Sequence, residues 1–160
     1  MSSAGSSIAL DTLSPTELRA WRSLVKAHAC LVKRLDAQLE AEHGLPLSSY
    51  EVLQHLSHAD DGKLRMHDIA AAVMLSRSGL TRLVDRLERD GLVERCSCEN
   101  DARGAYAAIT PAGRERLAAA HRTHHAGIRA LFADRYSEAE LEQLAPLLER
   151  LVPADGCCSG

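Results

Sequence analysis

The stretch that begins at Ser14 predicts one amphipathic helix that is long for a chain of 160 residues. Ser14, Pro15 and Glu17 supply an N-cap, a first-turn proline and a capping-box acid, which together favour a helix start. Gly44 and Pro46 end the pattern, as expected after a helix C-terminus. The residues at the spacing of one helix face are Leu18, Trp21, Val25, His28, Val32, Leu35 and Leu39. Such a helix is difficult to cover within one small domain.

The middle of the chain, residues 47–110, predicts three shorter helices followed by a β-hairpin. Turn and capping residues separate these elements, and Gly91 ends the last of the three helices. The predicted elements are a helix opened by a capping box at Ser48–Glu51, a short strand from Leu64, helices at His67–Val73 and Ser76–Asp90, and strands at Leu92–Cys96 and Ala105–Ile109 joined by the polar loop Ser97–Gly104. This order is that of a winged helix-turn-helix lobe.

Two further helices follow, opened by Thr110-Pro111 and by a capping box at Ser137–Glu140. Pro146 falls inside the second of them and is expected to kink it. The sequence therefore predicts a mainly α fold with a small β-hairpin wing, in which a winged helix-turn-helix lobe is flanked by long N- and C-terminal dimerisation helices. We expect a single domain at 14–152, with the lobe at 47–110, dimerisation helices at 14–43 and 111–152, and flexible ends at 1–13 and 153–160.

The composition argues against several classes of protein. The net charge of −3 argues against a chain that is basic throughout, although DNA binding needs only a local basic face. No apolar run is long enough for a membrane span, and the N-terminal residues do not resemble a signal peptide. Five cysteines, an odd number, suggest reduced thiols and a cytoplasmic location. No phosphate-binding glycine loop, nucleophile elbow or zinc-protease motif is present, so we expect neither enzyme activity nor a cofactor.

The helix after Ser76 has two chemically different faces. Its apolar residues fall on one stripe, and they are Leu80, Leu83, Val84 and Leu87. Its first turns carry arginine and hydroxyl groups but no acid, while Asp85 and Glu88 come later. Arginine can bind guanine with two hydrogen bonds, and small hydroxyl side chains allow close approach to base edges. We therefore predict that base or near-base contacts come from Arg77, Ser78, Thr81 and Arg82.

Three segments resemble parts of the MarR family of winged helix-turn-helix transcription regulators. Leu75–Arg95 resembles that family's recognition helix and following strand, 100–104 (Asn-Asp-Ala-Arg-Gly) its wing motif, and Ile109–Gly113 its entry into the next helix. The resemblance extends over about Pro15–Val152. It implies a homodimer on double-stranded DNA, with a palindromic operator, recognition helices in successive major grooves and wings in the flanking minor grooves.

The resemblance also assigns roles within the wing. Arg103 matches the family's minor-groove arginine, and a narrow minor groove attracts such a side chain. Asp101 matches the acid that braces the wing by pairing with an arginine. Many family members have a second arginine where this chain has Ala102, which implies weaker wing binding.

Four further residues are candidates for phosphate contacts, since hydroxyls, arginines and helix N-termini commonly hold the DNA backbone. They are Ser48, Ser49, Arg86 and Arg95. The alternatives are helix capping for Ser48 and simple solvation for the arginines.

The family resemblance implies repression that is relieved by a signal, and the sequence leaves the signal open. One possibility is a small anionic or phenolic ligand, with Trp21, His28 and Asp68 as candidate pocket residues. For Trp21 and His28 we favour core packing, because both lie on the apolar stripe of the first helix. A helical interaction dimer without DNA binding is the alternative from another class.

Redox and metal sensing are the other two possibilities. Cys96 and Cys98 are two residues apart on a predicted strand, so their side chains are expected to point the same way. Cys30 lies away from the first apolar stripe and is a further candidate thiol. His121 and His125, with His124 beside them, have a spacing that can bind zinc, but no further ligands are evident. We therefore expect no resident metal.

Overall fold

The computed structural model describes residues 12–98 and 101–152, with only the backbone described for Cys98 and for 101–104. Within these residues the α-helices are α1 (Pro15–His43), α2 (Leu47–His58), α3 (Met66–Ala72), α4 (Arg77–Arg89), α5 (Pro111–Leu131) and α6 (Glu138–Glu149). The strands are β1 (Lys63–Arg65), β2 (Val93–Cys98) and β3 (Asp101–Ile109), and a short 3-10 turn covers Ala133–Arg135. The fold class predicted from the sequence is confirmed. Most of residues 1–13 and all of 153–160 lie outside the described residues.

Most predicted helix starts are confirmed as real side-chain caps. Ser14, Ser76, Thr110 and Ser137 each accept a hydrogen bond from the backbone N–H three residues later. Ser14 and Ser137 also form full capping boxes with glutamates. These devices are local in sequence, which is why the pattern alone identifies them.

The predicted capping box at Ser48–Glu51 is wrong. Helix α2 begins at Leu47 after Pro46, which makes no side-chain cap. Instead, the Leu47 N–H donates to Oδ1 of Asp36 on α1, at 2.8 Å. A carboxylate from another helix therefore replaces the local cap.

The three strands form one antiparallel sheet in the order β1-β3-β2. Lys63 pairs with Ala108 and Val93 pairs with Ile109. The hairpin strands extend further than predicted, since β2 reaches Cys98 and β3 begins at Asp101. The predicted loop Ser97–Gly104 is therefore too long. Antiparallel pairing can continue through polar residues because neither face of a projecting hairpin must be buried.

The hydrophobic core is centred on the winged lobe and extends to α1 and α5. Tyr50, Leu53 and Leu56 of α2 are fully buried there, together with the apolar residues Leu80, Leu83, Val84 and Leu87 of α4. Gly91 has a left-handed φ of 71°, which allows the tight turn from α4 into β2. This core fixes α4 firmly against the lobe.

The two end helices bury almost nothing within the chain. Helix α1 has 29 residues but only Leu39 is buried, and α6 buries none of its residues. Large exposed apolar side chains on these helices and just after α6 include Trp21, Leu24, Val25, Val32, Leu147, Leu148, Leu151 and Val152. The prediction that Trp21 and His28 pack in the core of their own chain is therefore wrong, since both are exposed. Pro146 does lie inside α6, and its kink stays a prediction.

Candidate nucleic-acid interface

Helix α4 presents its polar face to solvent. Ser76 caps it by accepting from the Gly79 N–H at 3.1 Å, while the four apolar residues on the opposite face are at most 5% exposed. All four predicted base-contact residues are exposed: Arg77, Ser78, Thr81 and Arg82. The Thr81 hydroxyl donates to the Arg77 carbonyl at 2.9 Å, which keeps that side chain close to the helix surface. The face is thus held rigidly and left uncovered.

Three arginine side chains on this face make no polar contact within the described part of the chain. Across the described part of the chain, no hydrogen bond or ion pair engages the side chain of Arg77, Arg82 or Arg86. The acids of the same helix, Asp85 and Glu88, are both paired with Arg95 on β2. The exposed surface of α4 is therefore locally basic although the whole chain has a net charge of −3, and a local basic surface is what DNA phosphates attract.

Two hollows flank α4. The first, here called the Ser48 hollow, has a volume of about 310 Å³ and is lined by Ser48, Leu75, Gly79, Arg82, Leu83, Arg86 and Arg89. The second, the Arg95 hollow, has a volume of about 450 Å³ and is lined by Arg65, Met66, His67, Arg77, Leu80, Thr81, Arg95 and Ala105. Each hollow carries three arginines, and those of the Ser48 hollow are suited to an anionic group.

The DNA contacts predicted from the sequence did not include Arg65 or Arg89, which line these hollows. Arg65 donates to the Tyr106 hydroxyl at 2.9 Å and its guanidinium lies 5.5 Å from the centre of that ring. Arg89 follows Arg82 and Arg86 along one side of α4 and lines the Ser48 hollow. The helical spacing of the three arginines could have indicated Arg89, whereas Arg65 depends on its pairing with Tyr106 across the sheet.

The two serine candidates for phosphate contacts differ. Ser48 is half-buried and lines the Ser48 hollow, so its prediction stays open. The Ser49 prediction is wrong for its side chain, which is only 1% exposed. Its hydroxyl is buried without a hydrogen-bond partner, because Ser49 lies on the same helix face as the buried residues Val52, Leu53 and Leu56.

Arg95 is also placed differently from the prediction of a phosphate contact. Its Nη1 lies 2.6 Å from Glu88 Oε2 and its Nη2 lies 2.5 Å from Asp85 Oδ1. The hydrogen bond to Asp85 is the main reason that the pKa of Arg95 is raised. The guanidinium is thus occupied by protein carboxylates instead of being free for DNA.

The wing predictions concern β3. Arg103 and Asp101 both fall on this strand, but their side chains lie outside the described residues, so a minor-groove contact and a bracing pair remain predictions. The side chain of Cys98 also lies outside the described residues. A register irregularity between Cys96 and Cys98 removes the regular alternation on which their common orientation depended. Cys30 is exposed and Cys96 is partly buried.

The proposed ligand-pocket residues are not brought to the hollows. Trp21, His28 and Asp68 are all exposed, and none of them lines the Ser48 hollow or the Arg95 hollow. A pocket that includes these residues would need a second chain to close it.

The histidines of α5 have packing roles. The Tyr50 hydroxyl lies 2.9 Å from His121 Nδ1, and the rings of His121 and His125 are 3.9 Å apart. His124 packs on Tyr50 at 4.6 Å between ring centres, and burial lowers its pKa. In the described residues no group of three or more potential ligand side chains could hold a metal ion, so the metal hypothesis gains no support.

No helix in the described ranges has the length and apolar character that a membrane crossing requires.

Comparison with known proteins places this geometry in context. A family model described as "MarR family" matches residues 43–104, which covers α2 to the wing. The chain is 28% identical over 142 residues to the Homoprotocatechuate degradative operon repressor of Escherichia coli, covering 89% of this chain and 88% of the repressor. It is 31% identical over 110 residues to the HTH-type transcriptional regulator MhqR of Bacillus subtilis (strain 168), covering 69% of this chain and 74% of MhqR.

Solved structures show the same similarity. Sco3205 of Streptomyces coelicolor, a MarR family transcriptional regulator solved in complex with DNA, is 32% identical with a TM-score of 0.82, covering 90% of this chain and 96% of Sco3205. AbsC, another MarR family transcriptional regulator of Streptomyces coelicolor, is 34% identical with a TM-score of 0.79, covering 88% of this chain and 97% of AbsC.

Proposed function

Because this chain belongs to the MarR family of DNA-binding transcription regulators, we propose that it is a repressor that binds a palindromic operator as a homodimer and releases it when a small molecule binds. The observation that carries the proposal is the uncovered polar face of α4, which is anchored by a fully apolar opposite face. A helix fixed in this way can enter a major groove with its first turns against the base edges.

In this proposal one part of α4 contacts the bases and another part contacts the DNA backbone. Arg77, Ser78, Thr81 and Arg82 face the bases, because they occupy the exposed first turns of the helix. Arg86 and Arg89 follow later, and the Ser48 hollow places them beside the N-terminus of α2. Guanidinium groups and helix N-termini both favour phosphate, so this side holds the DNA backbone.

The homodimer is supported by the unpartnered end helices. An isolated helix gains most of its stability from tertiary packing of its apolar face, yet α1 buries a single residue in its own chain. The exposed residues Trp21, Val25 and Val32 recur along one side of α1. A second copy of this chain, bringing α1 and α6 against its partner's, covers these residues and spaces two α4 helices for a palindrome.

Release by a ligand is supported by the position of the Arg95 hollow. Apolar walls from Leu80 and Ala105 combine there with the exposed side chain of Arg77, which suits a small anionic or phenolic molecule. Arg77 and Thr81 belong both to this hollow and to the exposed face of α4. An occupant of the hollow therefore competes directly with DNA for the same side chains.

The proposal is tested by locating the operator and measuring how salt affects binding. Genomic footprinting with the purified protein supplies the site, and a scrambled fragment of equal composition is the control. With six or more phosphate contacts per dimer, we expect affinity to fall about a thousandfold or more between 50 and 200 mM salt. Equal affinity for the scrambled fragment at every salt concentration would instead favour an interaction dimer that does not read DNA.

Arg82→Ala and Arg103→Ala are expected to weaken binding in different ways. Loss of a base-contacting arginine costs about 1–3 kcal/mol, or roughly 5- to 150-fold, at each half-site of the operator, so Arg82→Ala lowers the ratio of operator to random-DNA affinity. Arg103→Ala weakens binding to both fragments and reduces the salt dependence, with less change in the ratio. Gel-shift titrations on both fragments measure these effects.

Arg122→Ala is the matched control for that experiment, because Arg122 is an exposed arginine on α5. It is expected to bind both fragments like the parent. If Arg82→Ala and Arg103→Ala behaved as this control does, the assigned contacts would be incorrect.

A further inference from the structure

Arg95 lies on β2, the strand that follows α4, and makes three hydrogen bonds to side chains of α4. Its two terminal nitrogens reach Glu88 Oε2 at 2.6 Å and Asp85 Oδ1 at 2.5 Å. Its backbone N–H also donates to Glu88 Oε1 at 3.2 Å. Asp85 and Glu88 are three residues apart and therefore lie on one side of the helix. The planar guanidinium is thus held in one orientation by two carboxylates.

Stability alone explains this arrangement poorly. The side chains of Arg95, Asp85 and Glu88 are 35%, 49% and 41% exposed, and exposed ion pairs contribute little to folding free energy. Helix α4 is already anchored by four buried apolar residues. What the contacts do determine is geometry, because they link the middle of α4 to β2, which leads directly into the wing.

The link also has an electrostatic effect. Asp85 and Glu88 are the acids within α4, and they lie on the same helix as the arginines that we assign to DNA. Arg95 pairs with both carboxylates on the flank that faces β2. It thereby offsets two negative charges that would otherwise repel the DNA backbone.

We propose that Arg95 is a positioning residue, which fixes the angle between α4 and the wing so that both elements reach the operator together without Arg95 itself touching DNA. The inference rests on the proposed function, since the angle matters only if α4 and the wing bind the same site. It predicts that the two acids, despite their charge, are needed for tight operator binding.

The test uses the double variant Asp85→Asn, Glu88→Gln, which is nearly isosteric and removes two negative charges beside the DNA. Electrostatics alone predicts stronger binding of every DNA fragment. If the positioning role is correct, operator affinity falls about fivefold or more, as expected when two exposed ion pairs are lost in each protomer, while binding to scrambled DNA stays equal or rises. Gel-shift titrations on both fragments, with circular dichroism to verify folding, give the result.

Glu94→Gln is the matched control, because it removes one negative charge from an exposed neighbour on β2 without touching the three contacts. It should bind both fragments equally well or slightly more tightly. Arg95→Lys keeps the charge but cannot bridge two carboxylates in a plane, so it should show a smaller loss than Arg95→Ala.

The outcomes separate the two proposals. If the parent protein fails to distinguish operator from scrambled DNA, the proposed function is contradicted. A parent that does distinguish them, together with an acid double variant that binds the operator as tightly as Glu94→Gln, removes only the positioning role of Arg95.

Discussion

The double variant Val25→Asp, Leu148→Asp is expected to be monomeric. Its operator affinity should fall by a factor of about a hundred to ten thousand, which is the gain that linking two binding modules provides. Val25 is 47% exposed on α1 and Leu148 is 38% exposed on α6. In the proposed dimer both are covered by the partner chain, and an unpaired carboxylate is costly to bury there. Analytical ultracentrifugation measures the assembly, and gel shifts measure the affinity.

The control for this prediction places aspartate on the other side of the same helix. Cys30 is exposed and lies about 140° around α1 from Val25, given a rotation of about 100° per residue. Cys30→Asp should therefore remain dimeric and bind like the parent. A Val25→Asp, Leu148→Asp double variant that still sedimented as a dimer would show that the two chains meet through another surface.

Gly113→Ala is expected to destabilise the fold by roughly 3 kcal/mol, even though alanine favours helices over glycine by about 1 kcal/mol. Gly113 is buried in the first turn of α5. A Cβ atom added there would lie 2.1 Å from the Leu92 carbonyl oxygen and 2.9 Å from Ile109 Cγ1. The carbonyl belongs to the backbone and accepts from the Thr110 N–H at 3.1 Å, so it cannot move without breaking the junction of β3 and α5.

Gly79→Ala provides the matched comparison, because Gly79 occupies the same position of α4 that Gly113 occupies in α5. Its added Cβ would meet only the Ser76 hydroxyl at 3.1 Å and Leu75 Cβ at 4.0 Å. The change in unfolding free energy should therefore stay within about 1 kcal/mol. Urea denaturation followed by circular dichroism compares the two variants, and equal stabilities would contradict the role given to the Leu92 carbonyl.

The recognition helix was predictable because its determinants are local. Ser76, the four-residue apolar stripe and Gly91 specify where α4 begins, which side is buried and where it ends. Each of these features depends only on residues within about one helical turn of it. The exposed arginine and hydroxyl face follows directly from the same periodicity.

The errors arose where the determining contact is distant in sequence. Asp36 caps α2 from another helix, which no pattern around Ser48 can reveal. Arg95 resembles a free surface arginine in the sequence, but the turn at Gly91 brings it beside Asp85 and Glu88. The Arg95 hollow likewise depends on how β1 pairs with β3.

The single buried residue of α1 has a consequence for how the protein behaves on dilution. A fold whose longest helix leaves most of its apolar side chains exposed until a second copy covers them becomes less stable as the concentration of copies falls, by mass action. In the proposed dimer, folding, pairing and operator occupancy are therefore linked equilibria that all depend on how many molecules a cell contains. Abundance then sets a threshold for repression before any inducer acts.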